Sequence, residues 1–204
     1  MRVLLIVPES GASGPRLNTV PEVRRISAMH RVTILHGPVR VSEIYEYAQA
    51  GNYDVLHYGL HGDSKGVAVG EEVMDRDDLY QVAKLAGASL VFFNACYSGA
   101  LGSFLVARGI PFAISTNEEV ADMDAWKMPL SFYEYLARDE RRHRMPDVPS
   151  AYQDADAGGE GDYNLHVNWQ VITPPARVTR LEWAVATLAL MVLGLAVAVG
   201  FLIV

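Results

Sequence analysis

A chain of 204 residues has the length of one globular domain, and its composition narrows what that domain does. The formal net charge is −7, from 24 acidic and 17 basic residues, and no dense Lys/Arg block is present to follow a phosphate backbone, so we expect no nucleic-acid partner. The single cysteine excludes an internal disulfide and a multi-cysteine zinc site, and it fits a reducing compartment such as the cytosol. No metal-ligand spacing is present, and we expect no cofactor.

Short apolar runs alternate with segments of helical pattern through the first part of the chain. Strand runs separated by helices favour crossover connections and a parallel, doubly wound sheet with helices on both faces. In chain order the pattern predicts a strand at 3–7, a helix at 20–29, a strand at 32–35, a helix at 43–50 capped by Ser42, a strand at 55–58, a helix at 76–86 capped by Asp75, a strand at 90–93, a helix at 101–108 and a strand at 110–115.

The segment after the last of these strands contains four acids between 117 and 124. One interpretation is a solvated helix start, where negative charge complements the helix dipole. The other is that Asp122 or Asp124 faces a cleft and attracts a basic residue of a protein substrate. Pro129 then predicts that a helix kinks or restarts at about Met128.

The character of the chain changes again from residue 138 onward. A charge run and a stretch rich in Pro, Gly, Asp and Ala predict a flexible segment over 145–162, and residues 163–173 alternate enough to add an edge strand. Residues 183–204 then carry no charge over twenty-two positions, which predicts a transmembrane helix rather than a buried C-terminal helix. We therefore divide the chain into a domain at 1–138, a linker at 139–182 and an anchor at 183–204.

The orientation of this anchor follows from its flanks. Arg177 and Arg180 precede the apolar segment and no charge follows it, so the positive-inside tendency places the folded domain in the cytoplasm. The sequence thus predicts a single-pass membrane protein with a C-terminal anchor.

Two strand ends carry the residues that suggest chemistry. The run LVFFNACYSG ends in Cys96, and the run YDVLHYGLHG ends in His61 and Gly62. Carboxyl ends of parallel strands meet at one edge of a sheet, where an imidazole could take the proton of a thiol and make it a nucleophile. Gly62 would let its N–H reach a substrate carbonyl and, with the Cys96 N–H, stabilise an oxyanion. The alternative is that Cys96 is a small packed hydrophobe, as free cysteines often are.

At these residues the sequence resembles the caspase-like cysteine peptidases, and most closely the bacterial CHAT group. The order of the pieces carries the resemblance: YDVLHYGLHG, the hairpin-like GVAVGEEVM, the helix-like DRDDLYQVAKLAG and LVFFNACYSG, over about 53–137. The resemblance implies His61 as general base, Cys96 as nucleophile, and Gly62 with the Cys96 amide as oxyanion donors. It places Asn94 in the primary specificity pocket. Ser115, Asp122 and Asp124 complete the candidate substrate-binding residues.

The resulting expectation is a caspase-like fold that works as a membrane-anchored cysteine endopeptidase on a protein substrate. The alternative is an inactive, membrane-tethered binding or scaffold module of the same fold. No sensor domain is legible, so we expect an activating protein partner or self-association in the membrane plane. The resemblance also implies a place in bacterial defence or regulated cell death.

Overall fold

The computed structural model describes residues 1–9, 17–119, 125–141, 147–156 and 163–168. Their centre is a six-stranded, mostly parallel sheet, and the strand and helix positions predicted up to residue 116 are confirmed to within a few residues. In chain order the elements are β1 Arg2–Pro8, α1 Val20–Met29, β2 Arg31–Gly37, α2 Val41–Ala50, β3 Val55–Gly59, β4 Gly66–Val69, β5 Glu72–Asp75, α3 Arg76–Ala86, β6 Leu90–Asn94, α4 Gly99–Ala107, β7 Phe112–Thr116, α5 Lys127–Arg141, α6 Val148–Asp156 and β8 Tyr163–Val167.

The strand order of the main sheet is β2-β1-β3-β6-β7-β8, and β4 pairs with β5 in a separate hairpin. Neighbouring pairs are parallel from β2 through β7, whereas β8 runs antiparallel to β7 at the edge. Helix α1 connects β1 to β2, α2 connects β2 to β3, α3 follows the hairpin between β3 and β6, and α4 connects β6 to β7, so every step between these parallel strands includes a helix. The strand order changes direction between β1 and β3, because β2 lies on the far side of β1 and β6 lies on the far side of β3. In an open α/β sheet, the binding crevice is expected at the carboxyl ends of two such strands.

The apolar residues of the sheet divide between two cores, one on each face. One core packs β-strand residues such as Leu4, Leu56 and Phe93 under α2, α3 and α4. The other packs Val55 and Phe92 under α1, α5 and α6. Because strands β1, β3 and β6 are buried on both faces, their sequences are continuous apolar runs without alternation.

Local capping rules account for α3 and fail for α2. The Asp75 side chain accepts hydrogen bonds from the N–H groups of Asp77 and Asp78, so the predicted cap is confirmed. Helix α2 begins at Val41, so Ser42 lies inside the helix, and the prediction that Ser42 caps it is wrong. The carboxylate of Glu43 instead accepts the N–H of Arg40, 2.9 Å away.

The region after 138 differs from the prediction of a linker. Helix α5 continues to Arg141, helix α6 occupies part of the stretch predicted to be flexible, and β8 pairs with β7 along its whole length. Residues 1–168 consequently form one compact unit, and the folded domain does not stop at 138. Helix α5 begins at Lys127, which places Pro129 in the first turn where no helical hydrogen bond is lost.

The predicted anchor at 183–204 lies outside the described residues. Within the described ranges, none of the helices is both long and apolar enough to cross a membrane. The anchor therefore stays a prediction from the sequence.

Candidate active site

The two strand ends that carry His61 and Cys96 lie side by side. Strands β3 and β6 are adjacent and parallel, and their register aligns Gly59 with Asn94, so the two residues beyond each strand continue next to each other. The N–H of Leu60 donates to the carbonyl of Asn94 at 3.4 Å, which extends the pairing past the strand. The juxtaposition predicted for the His-Gly and Cys segments is thus present in the fold.

Strand geometry also decides which way these side chains point. Side chains alternate between the faces of a strand, so Gly59 follows His57 on one face of β3, and Asn94 follows Phe92 on one face of β6. His61 and Cys96 lie two residues beyond these positions, past the strand ends. The rings of His57 and Phe92 stack with centroids 4.8 Å apart, which shows that the two rows share a face. That face is covered by α1 and α5, and the candidate dyad lies where this cover ends.

A cavity of about 40 Å³ lies at this point. His61 and Cys96 are both partly exposed along its wall, so the thiol is not sealed beneath packed side chains. The wall also includes residues from α1 and from the segment before α5. The residues that matter for the chemistry are Glu22, Gly59, His61, Asn94, Cys96 and Trp126.

The backbone of Gly62 is fixed by a bridge to the β4–β5 hairpin. Gly62 opposes Val67 of β4, and the hydrogen bonds of this bridge run from Ala68 N–H to His61 O (2.8 Å) and from Asp63 N–H to Gly66 O (3.0 Å). In that antiparallel pattern the N–H of Gly62 points away from the hairpin. A Cβ atom on Gly62 would lie 3.1 Å from Cβ of Ala95 and 3.5 Å from the Cys96 carbonyl oxygen, so a side chain there would require Ala95 to move by a few tenths of an ångström.

The turn that presents Cys96 is fixed by hydrogen bonds to its neighbours. The carbonyl of Ala95 accepts from Ser98 Oγ at 2.7 Å and from Thr116 Oγ1 at 2.8 Å. Tyr97 adopts a left-handed conformation with φ of 53°, and its N–H donates to the carbonyl of Glu118. Non-glycine residues rarely adopt this conformation, and it turns the chain sharply after the cysteine.

A buried carboxylate lies beneath the cavity. Glu22, in the first turn of α1, is 1 % exposed, and its Oε1 accepts from Asn94 Nδ2 at 2.9 Å. His57 Nε2 lies 3.0 Å from the same oxygen without a well-aligned hydrogen bond, and His57 Nδ1 lies 3.1 Å from the Tyr133 hydroxyl. His57 is therefore a polar core residue.

Asn94 is held from its other side by β8. The Tyr163 hydroxyl donates to Asn94 Oδ1 at 2.7 Å and to the carbonyl of Ala125 at 3.2 Å. Burial, and then the nearby Glu22 carboxylate, raise the pKa of Tyr163 above its usual range, so this hydroxyl stays protonated and remains a donor. With both ends of its amide engaged, Asn94 has a fixed orientation at the cavity.

Of the remaining predicted site residues, the structure describes Ser115, which does not line the cavity. Ser115 is fully buried, and its Oγ lies 2.7 Å from His166 Nε2 in β8. It is a packing and hydrogen-bonding residue of the sheet edge, because its side chain points to the α4 face. Asp122 and Asp124 lie outside the described residues. Glu22 and Trp126, which do line the cavity, were not predicted.

Burial lowers the pKa of the His166 imidazole below its ordinary value of 6.5. The folded chain then holds this ring neutral while the unfolded chain binds a proton, so stability is lost as the pH falls below about 6.5. We expect the melting temperature to decrease as the pH is lowered from about 7.5 to about 5.5. The variant His166→Gln should show a smaller decrease over the same range. Thermal unfolding by circular dichroism across this range tests it. The same slope in both proteins would contradict the prediction.

His30 is the matched comparison, since burial also lowers its pKa although Glu140 opposes the effect. His36, which is exposed on β2, serves as the negative control. His36→Gln should leave the slope unchanged.

Comparisons with solved structures define the class of fold. The chain is similar to the Arg-specific cysteine proteinase gingipain R, with a TM-score of 0.58, 12 % identity, and coverage of 76 % of this chain and 40 % of that one. It is similar to the complex of Porphyromonas gingivalis gingipain pro- and mature domains with a TM-score of 0.50 and 12 % identity, and this match covers 67 % of this chain and 37 % of that chain. The structure of caspase-1 from Spodoptera frugiperda has a TM-score of 0.47 and 11 % identity, and the match covers 82 % of this chain and 87 % of that chain. The chain spans about two fifths of each gingipain chain, and its fold is that of a caspase-like cysteine peptidase.

The sequence identifies the family within this class. Residues 6–147 match the profile of the CHAT domain, which is more than half of the chain. The chain belongs to the CHAT domain family, and the resemblance noted in the sequence is confirmed. A search of curated protein sequences found no significant match.

Proposed function

We propose that this protein is a cysteine endopeptidase in which Cys96 is the nucleophile and His61 the general base. The observation that carries the proposal is that the only cysteine and a histidine from a neighbouring strand end line one cavity, both partly exposed. The family match over residues 6–147 and the caspase-like fold support the same chemistry. A packed structural cysteine would need neither the shared cavity nor the exposure.

The reaction would proceed through a thioester. His61 takes the proton of Cys96, and the thiolate attacks the substrate carbonyl carbon, forming a C–S bond while the carbonyl π electrons move to oxygen. The Gly62 and Cys96 N–H groups stabilise that oxyanion. When the carbonyl reforms, the C–N bond breaks and the imidazolium gives its proton to the leaving amine. Water, deprotonated by His61, then hydrolyses the thioester and releases the carboxylic acid and the thiol.

The sharpest test of this assignment is the reactivity of the thiol. We expect iodoacetamide to alkylate Cys96 in the folded full-length chain, with the thiolate displacing iodide, and His61→Ala to slow the reaction at neutral pH at least about tenfold. Intact mass spectrometry follows the addition, and His36→Ala is the matched histidine control because His36 lies exposed on the edge strand β2.

An inert Cys96, or one whose alkylation does not depend on His61, would count against the enzyme. It would favour a binding or scaffold module of the same fold. Circular dichroism of each variant shows that the comparison is made on folded protein.

We further propose that residues 183–204 anchor the domain in a membrane, with the domain on the cytoplasmic side. The uncharged length of the segment and Arg177 and Arg180 before it support this. Extraction of expressing cells with alkaline carbonate tests it. Release of the full chain into the soluble fraction would overturn the proposal.

A further inference from the structure

The carboxylate of Glu22 is an unusual group to find beneath a peptidase cleft. It is 1 % exposed, yet it lines the same cavity as His61 and Cys96. Burying an ionised carboxylate is unfavourable unless partners compensate its charge. The partners that surround Glu22 therefore decide what the cavity can bind.

Two partners within the protein orient this carboxylate. Asn94 Nδ2 donates to Oε1 at 2.9 Å. His57 Nε2 lies 3.0 Å from the same oxygen, which is ion-pair distance when the imidazole is protonated, and its ring is fully buried between Phe92 and Tyr133. Both contacts engage Oε1 of a carboxylate that lines the cavity.

The second carboxylate oxygen, Glu22 Oε2, lies next to Gly59, which has no side chain to fill that space. A Cβ atom on Gly59 would lie 3.0 Å from Glu22 Oε2 and 2.9 Å from Val7 Cγ1. Gly59 also lines the cavity. It lies two residues before His61, and its partner in β6, Asn94, lies two residues before Cys96. The absence of a side chain there leaves room for the carboxylate directly below the candidate dyad.

We propose that Glu22 selects a basic side chain, arginine or lysine, at the substrate residue just before the scissile bond. This rests on the proposed function, because the side chain is placed by the bond that Cys96 attacks. The cavity of about 40 Å³ has room for about three water molecules, enough for the polar head of an arginine or lysine. Trp126 lines the same cavity, and among side chains the tryptophan ring attracts cations most strongly.

The neutral side chain of Asn94 is consistent with this assignment. From the sequence, a neutral residue at that place weakens the expectation of a charged preference in the pocket. In the structure the amide nitrogen of Asn94 donates a hydrogen bond to Glu22, and its amide oxygen accepts one from the Tyr163 hydroxyl. Asn94 is thus a positioning residue for the acid that meets the substrate.

Peptidyl acyloxymethyl ketones that differ only in their last residue test the proposal. The Cys96 thiolate displaces the acyloxy group as a carboxylate, and intact mass spectrometry of the full-length chain in detergent measures the rate of C–S bond formation. We expect probes ending in arginine or lysine to react at least about 30-fold faster than probes ending in leucine or aspartate. Glu22→Gln should remove that advantage, measured within the variant as the ratio of the rate of the arginine probe to the rate of the leucine probe.

Glu46→Gln is the matched control, because Glu46 is an exposed acid on α2 and the chemical change is the same. It should keep the preference of the parent protein. The conservative variant Glu22→Asp should keep the preference for basic probes at a lower rate, which a purely structural role of the carboxylate would not produce.

The outcomes separate the two proposals. Equal or faster labelling by the leucine or aspartate probe in the parent protein, with His61-dependent reactivity, would overturn the basic preference and leave the peptidase assignment standing. A basic preference that survives Glu22→Gln would also overturn the role of Glu22. Failure of every probe and of iodoacetamide would overturn the peptidase assignment and this inference with it.

Discussion

We expect Cys96→Ala to lower kcat/KM for peptide-bond cleavage by about four to six orders of magnitude, and His61→Ala to do nearly the same. In the proposed reaction the two residues act as one unit, since the thiol attacks only after the imidazole has taken its proton. The double variant should therefore be no worse than either single variant. The measurement is the appearance of new amino termini in a proteome-derived peptide mixture, followed by mass spectrometry over time.

His36→Ala is the control for His61→Ala, because it removes an exposed imidazole from an edge strand far from the cavity. It should cleave at the parental rate. Cleavage by Cys96→Ala at the parental rate would show that another protein or another group performs the reaction. Strictly additive losses in the double variant would show that the two residues do not share one step.

We expect Phe92→Ala to lower the free energy of unfolding by about 3 to 5 kcal/mol, which is a large share of the roughly 5 to 15 kcal/mol that holds a domain folded. Phe92 is fully buried in the central strand β6. Its ring stacks on His57 at 4.8 Å and lies 5.5 Å from Phe132 and 5.9 Å from Tyr163, so truncation opens a cavity among aromatic rings that cannot close around it.

A loss of that size corresponds to a fall in melting temperature of roughly 6 to 20 °C for a domain of this length. Thermal unfolding of the full-length chain in detergent, followed by circular dichroism, measures it. Phe112→Ala is the matched control, because Phe112 is only partly buried at the start of β7, and it should lose less than half as much. Equal losses would contradict the central place of Phe92 in the core.

The sequence predicts those features that a few neighbouring residues determine. Asp75 caps α3 because an aspartate side chain reaches the N–H groups two and three residues on. The strand ends of His61 and Cys96 could be paired from sequence because parallel crossovers align carboxyl ends at one edge. These signals are local or follow from topology alone.

Features that depend on tertiary contacts could not be predicted in the same way. Glu22 stands beside two arginines in a short helix and looks like a surface acid until the start of α1 is placed over the strand ends. Helix α6 looks flexible by composition, but its residues Val148, Ala151 and Ala155 are buried against α5. The sequence does carry one local signal for α6, because Asp147 precedes the helix and accepts hydrogen bonds from the N–H and the hydroxyl of Ser150.

The hydroxyl that Tyr163 offers to Asn94 comes from β8, the last strand of the described chain. During synthesis the amino-terminal strands emerge first, so a nascent chain can already contain Glu22, His61 and Cys96 while β8 has not yet been made. The amide of Asn94 then lacks the donor that fixes its orientation. The wall of the candidate site that contains Asn94 is therefore completed last, after the rest of the sheet exists. A ribosome-bound or truncated product ending before residue 163 would carry His61 and Cys96 without the finished wall.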